Sequence, residues 1–134
     1  MSEPLSDNSR NALKSFRQAL LGLHKTLLDE EKVSYERARG PIGNSYEFLQ
    51  LVMKDPWFDW LHRLSELIVQ IDEALDQRDP VPSEEDAKAL QTRARDLLSP
   101  AEEGSQFQKN YFLALQQSPD VVLLHSEIMK LIKK

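Results

Sequence analysis

The chain has 134 residues and no cysteine, enough for one domain with a proper core but excluding disulfides, thiolate metal sites and cysteine nucleophiles. Its formal charge of −5 disfavours the phosphate neutralisation on which non-specific nucleic-acid binding depends. No apolar run approaches the roughly 18–20 residues that cross a bilayer, and the N-terminal MSEPLSDNSR lacks the basic and apolar regions of a signal peptide. A soluble cytoplasmic protein is expected.

Residues 1–8 are polar and are expected to be disordered. Leu13, Phe16, Leu20, Leu23 and Leu27 then step 3-4-3-4, the stripe of an amphipathic helix predicted over about Ser9–Ala38. At about 1.5 Å per residue this rod would be roughly 45 Å long, so part of it is expected to project or to pack on a second copy. Gly40-Pro41-Ile42-Gly43 reads as a turn. A short helix follows near Ser45–Met53, opened by Asn44 with Glu47 three positions on, the spacing of a capping box.

Asp55-Pro56, Ser99-Pro100 and Ser118-Pro119 share one grammar. A small polar residue caps, and a proline takes the first helical position, where its missing N–H costs nothing. The third helix is therefore predicted from Pro56 to about Asp76, through Trp57, Leu61, Leu64, Ile68, Ile71 and Leu75. Gln77–Pro82 is a linker. Ser83 caps a fourth helix with Ala87, Leu90, Ala94 and Leu97 inward. Ser99 and Glu102 have capping-box spacing for a fifth, but Gly104 moves its proper start toward Ser105, with its end at Gln117. The sixth runs from Pro119 to about Ile132 on Val121, Leu124, Ile128 and Leu131. No alternating strand pattern appears. The fold class is all-α: a single domain over 1–134, a bundle of five to six helices, two of them long, around an up-and-down core. Asp72–Glu103 is acidic and the last 31 residues mildly basic; both read as solvated helix faces.

DPWFDWLH, residues 55–62, carries the densest aromatic signal. Trp57 and Trp60, three apart, share a face with Leu61 and Leu64. Core packing explains them. Phe58 points about 100° away from Trp57 on an α-helix, which makes it the first residue to expect at a partner surface. The partner-facing set is accordingly Trp57, Phe58 and Trp60, then Tyr35 and Tyr46 beside the Gly40–Gly43 turn.

Three histidines and several carboxylates offer an alternative, a metal or small-ligand site inside the bundle built from His24, Glu31, His62 and His125. Asp59-x-x-His62 echoes di-iron pairing and His62-x-x-x-Glu66 a hemerythrin segment, but both families need more ligands than this chain holds. Half-buried imidazoles bonded to backbone or carboxylate are the plainer reading, and no cofactor is expected. No nucleophile elbow, P-loop or dinucleotide glycine pattern is present. Arg37, Arg39 and the tail of Lys130, Lys133 and Lys134 are not expected to bind nucleic acid; the tail suits the negative end of a helix dipole.

LHKTLLDEEKVSYE, DPWFDWLHRLSELIVQIDEAL and PDVVLLHSEI, in that order, resemble segments of small uncharacterised bacterial all-α proteins over roughly residues 23–134. The resemblance implies a bacterial cytoplasmic origin and supplies no activity or site residue. The expected function is a non-enzymatic helical protein–protein interaction or structural domain, possessing a protein partner or self-associating as a homodimer, without nucleic acid or membrane.

Overall fold

The structure is a computed structural model describing residues 3–132. It holds six α-helices, α1 (Asp7–Arg39), α2 (Ser45–Lys54), α3 (His62–Asp76), α4 (Glu84–Leu97), α5 (Gln106–Gln117) and α6 (Pro119–Ile132), with a 3₁₀ helix at Pro56–Leu61. Among the described residues there is no strand, only a lone bridge between Pro4 and Ser83.

The stripe on α1 goes wholly inside. Leu13, Phe16, Leu20, Leu23 and Leu27 are all buried, each contributing roughly 1.5–3 kcal/mol by leaving water. Around this stripe α1, α3, α4 and α6 form an up-and-down four-helix bundle, α1 and α4 each lying between α3 and α6. Polar ties fix the directions. Arg10 Nη1 donates to the Leu75 carbonyl near the end of α3 at 2.8 Å, and Arg17 Nη1 to Asp72 Oδ1 at 3.1 Å. Early α1 thus meets late α3, so the two run antiparallel. Arg93 on α4 reaches Gln70 on α3 at 3.0 Å, and Ser118, just before α6, donates to Glu30 on α1. Helices α2 and α5 and the 3₁₀ helix gather at the Tyr35 end of α1.

Most helix starts are capped as their sequences predict. Asn44 accepts from Glu47 N at 2.9 Å, and Asp55 from Trp57 N at 2.9 Å. Ser83 and Asp86 complete a reciprocal capping box. At the fifth helix the choice falls on Ser105, which forms a box with Gln108. Ser99, the other reading, turns its hydroxyl back to the Arg95 carbonyl at 2.8 Å and closes α4 instead of opening α5.

Three expectations are corrected, and one is refined. The third helix is not one α-helix: its first six residues wind as 3₁₀, three per turn, so residues three apart eclipse. That aligns Phe58 with Leu61, and both are buried. At the end of α4, Leu97 packs half-buried against the core, as expected, but the fully buried residue there is Leu98, the residue that caps the helix, because the inward positions 90, 94 and 98 continue in steps of four. Residues 3–6 are not loose. Leu5 N donates to the Pro82 carbonyl and Glu84 N to the Glu3 carbonyl, each at 2.8 Å, Ser6 N donates to Glu84 Oε1 at 2.9 Å, and Leu5 is buried. Met1 and Ser2, the rest of that expected disordered stretch, lie outside the described residues. Finally, the far end of α1 does not project: Tyr35 packs on Trp57 and Phe58, and Lys32 lies over the Phe48 ring.

Candidate functional site

The Gly40–Gly43 turn lets α2 fold back beside the end of α1. Gly40 has φ +97°, a conformation that L side chains avoid, and its N–H donates to the Glu36 carbonyl at 2.9 Å. The Glu36 carboxylate then accepts from Ile42 N at 2.9 Å, and Glu47 from Gly43 N at 2.9 Å. Held by these bonds, the turn, α2 and Pro56 enclose an open cleft of about 590 Å³, lined by Tyr35, Arg39, Ile42, Tyr46, Gln50 and Lys54 among others. Its inner wall is built from stacked side chains. The Arg39 guanidinium lies 5.7 Å from the Tyr35 ring and 5.4 Å from that of Trp57, with Asp55 Oδ2 at 3.6 Å. Cation–π contact and ion pair meet on this one side chain.

Helix α2 forms the outer wall, and it has no buried residue. Phe48, Leu51 and Val52 pack half-buried against the core. Tyr46, Leu49 and Met53 do not: they are 69%, 53% and 57% exposed and, spaced 3 and 4, form one stripe. Three large apolar side chains on ten residues make a concentrated exposed patch, the kind that marks interaction surfaces.

The structure divides the expected partner set. Tyr46 is exposed, while Tyr35 and Trp57 are half-buried; Tyr35 lines the cleft, and Trp57 lies under the Arg39 guanidinium that also lines it. Phe58 and Trp60 are withdrawn from solvent, at 0% and 7% exposed. Phe58 sits between the rings of Tyr35 at 5.7 Å and Phe48 at 5.8 Å, and Trp60 packs on Phe107 at 5.3 Å. Neither is available at a surface. SYEFLQLVMK crowds Phe48, Leu49, Leu51 and Val52 on one short helix, and a ten-residue helix at a bundle's edge buries only one side, which leaves Leu49 outside with Met53.

The four residues of the metal alternative are not brought together; among the described residues no group of three or more His, Cys, Asp or Glu is placed to hold an ion. His62 Nε2 donates to the Val52 carbonyl at 2.9 Å, tying α3 to α2. His24 lies near it, and burial, then the His62 charge, lower its pKa. His125 stands apart, its Nδ1 2.7 Å from the Tyr111 hydroxyl. Burial raises the pKa of that hydroxyl and lowers that of the imidazole, so we assign the phenol as donor and neutral His125 as acceptor. Glu31 faces the indoles of Trp57 and Trp60, and burial above all raises its pKa, the indoles pulling the other way. Trp57 Nε1 itself has no partner in strict hydrogen-bond geometry, so its attraction to the carboxylate acts at longer range. Lys133 and Lys134 of the basic tail lie outside the described residues.

No helix of the described residues is long and apolar enough to cross a membrane. Comparison with protein-family models, with curated proteins and with solved structures found no match to this chain.

Proposed function

We propose that this protein is a helical interaction domain that docks a protein partner on the outer face of α2 and the adjoining cleft. The exposed Tyr46–Leu49–Met53 stripe carries the reading. Folding accounts for the inner residues of α2, but the outer three are left wet at a cost that only a partner removes. The cleft supplies what such surfaces use for specificity, aromatic and arginine side chains at an apolar centre with charges on the rim. Arg39 already rests against the rings of Tyr35 and Trp57, which presents its guanidinium at the cleft. The imidazoles of His62 and His125 are engaged in holding helices together, which favours an interaction role over a catalytic one.

Photocrosslinking in living cells tests the reading. A photoreactive phenylalanine analogue at position 49 should give one recurrent adduct, identified by mass spectrometry, whereas the same probe at Val69, equally exposed on α3 at 52%, should not. Equal yields at the two positions would refute a dedicated docking face on α2.

A further inference from the structure

We infer that the cleft beside α2 takes an acidic segment of the docked partner, an extended stretch with an aspartate or glutamate next to an apolar side chain. The inference rests on α2 and its cleft being the docking site, and names the chemistry of what enters.

The carboxylates around the cleft are already in use. The Gly40–Gly43 turn folds back over the end of α1, and its backbone N–H groups need acceptors. Glu36 serves Ile42 N and Glu47 serves Gly43 N, each at 2.9 Å. Asp55 holds Trp57 N at 2.9 Å as the cap of the 3₁₀ helix. Each acid has an oxygen bound to the fold, so the fold itself accounts for its presence.

The cations have no such account. Arg39 and Lys54 both line the cleft. Arg39 brings five N–H donors, yet its ion pair with Asp55, at 3.6 Å, is too long for a direct hydrogen bond. Lys54 brings three donors on an exposed side chain, and among the described residues no carboxylate stands within ion-pair distance of it. Formal charges in the lining cancel, Arg39 and Lys54 against Glu47 and Asp55. Hydrogen-bonding capacity does not cancel: what is left over belongs to the cations, and an anionic acceptor fills it best.

Shape selects a chain segment as the carrier. The cleft, about 590 Å³, is open and runs into the exposed apolar stripe, with Tyr46 belonging to both. Ile42 and Pro56 give it apolar walls. An extended segment can set its carboxylate toward Arg39 and Lys54 while the neighbouring apolar side chain rests on Ile42 or on the stripe. Apolar contact at the centre and charge at the rim then come from one occupant.

Random short peptides displayed on phage and panned against the full chain test this. Enriched peptides should carry Asp or Glu close to an aromatic or branched apolar residue, and panning against Lys54→Glu should no longer enrich acids. A synthetic copy of the leading peptide should bind the double variant Arg39→Gln/Lys54→Gln about tenfold more weakly than wild type, two charge-assisted contacts being lost. Added salt should weaken the wild type more than the double variant. Circular dichroism checks that each variant is folded; if Arg39→Gln disturbs the packing on Tyr35 and Trp57, Lys54→Gln alone decides, with an expected loss of about threefold. Neutral or basic peptides, no enrichment over an unrelated helical protein, or an acidic peptide indifferent to both Gln variants overturns the proposal. A partner crosslinked at position 49 with the same yield in the double variant keeps the docking face and sinks the acidic segment. Equal crosslinking at positions 49 and 69, with acidic peptides still held through Arg39 and Lys54, sinks the docking face and keeps the chemistry of the cleft.

Discussion

Replacing Phe58 by alanine should damage the fold itself, although its place in DPWFDWLH made it the first residue to expect at a partner surface. The side chain is 0% exposed, wedged between Tyr35 and Phe48 with centroid distances of 5.7 and 5.8 Å. Truncating a buried phenylalanine costs about 3–5 kcal/mol, the cavity included, and the loss of two ring pairs favours the upper half of that range. Against the roughly 5–15 kcal/mol that holds a domain together, that is about a quarter of the stability or more. The melting temperature should drop by roughly 10–20 °C. Urea titration followed by tryptophan fluorescence and by circular dichroism measures it, with Tyr46→Ala as control. At 69% exposed, that substitution should stay within about 0.5 kcal/mol. A Phe58→Ala protein within about 1 kcal/mol of wild type, with an unchanged urea slope, would mean that Phe58 is not core and that the 3₁₀ helix is misplaced.

Two further predictions concern titration. His24 and His125 have lowered pKa values in the fold, so the unfolded chain binds their protons more readily; this contribution to stability is complete above about pH 6.5 and is lost as the pH falls from there toward the lowered values. Urea unfolding at pH 7.5 and 5.5 should show the fall, with a smaller difference in His24→Gln. Glu31 has the opposite sign: its raised pKa means that the folded chain holds the proton longer, and ionisation weighs against folding once the pH rises above the raised value. Glu31→Gln should therefore be neutral or stabilising at pH 7, with any gain vanishing below about pH 4.5; destabilisation at pH 7 would show that the indoles of Trp57 and Trp60 depend on the charge.

How much of this was legible in the sequence depended on whether a single helix decided the answer. The α1 stripe, Leu13 to Leu27, is buried residue for residue, since periodicity within one rod determines which side faces in. Caps are local too, and Asn44, Asp55 and Ser83 sit where a few neighbouring residues place them. Ser99 fails because α4 lasts to Leu97, with its cap Leu98 fully buried, and takes up the serine at its own end through the Arg95 carbonyl. Leu5 looked like part of a polar tail because its bond to the Pro82 carbonyl joins segments far apart in sequence. Of the residues expected to face a partner, the structure gives the position only. Tyr46 and Tyr35 do border the cleft, but which side of α2 stays wet depends on where the bundle ends.

Why the chain winds six residues as 3₁₀ follows from what they must satisfy. An α-helix through Pro56 would separate Trp57 and Phe58 by about 100° and drift over the next turn. A 3₁₀ turn keeps residues three apart in register. Phe58 and Leu61 then enter the core as one column, and Trp57 and Trp60 as another that looks across to Glu31. The Phe58 column meets Phe48 on the inner side of α2, and His62, the first residue after the turn, bonds the Val52 carbonyl. Those two contacts hold α2 by its inner face and turn Tyr46, Leu49 and Met53 away from the bundle. The exposed stripe is thus imposed by the core beneath it. Phe58→Ala should accordingly loosen α2 before it melts the bundle, and backbone amide exchange over residues 48–54 should speed up more than over residues 16–27. Uniform acceleration would mean that the 3₁₀ column and α2 are not coupled in this way.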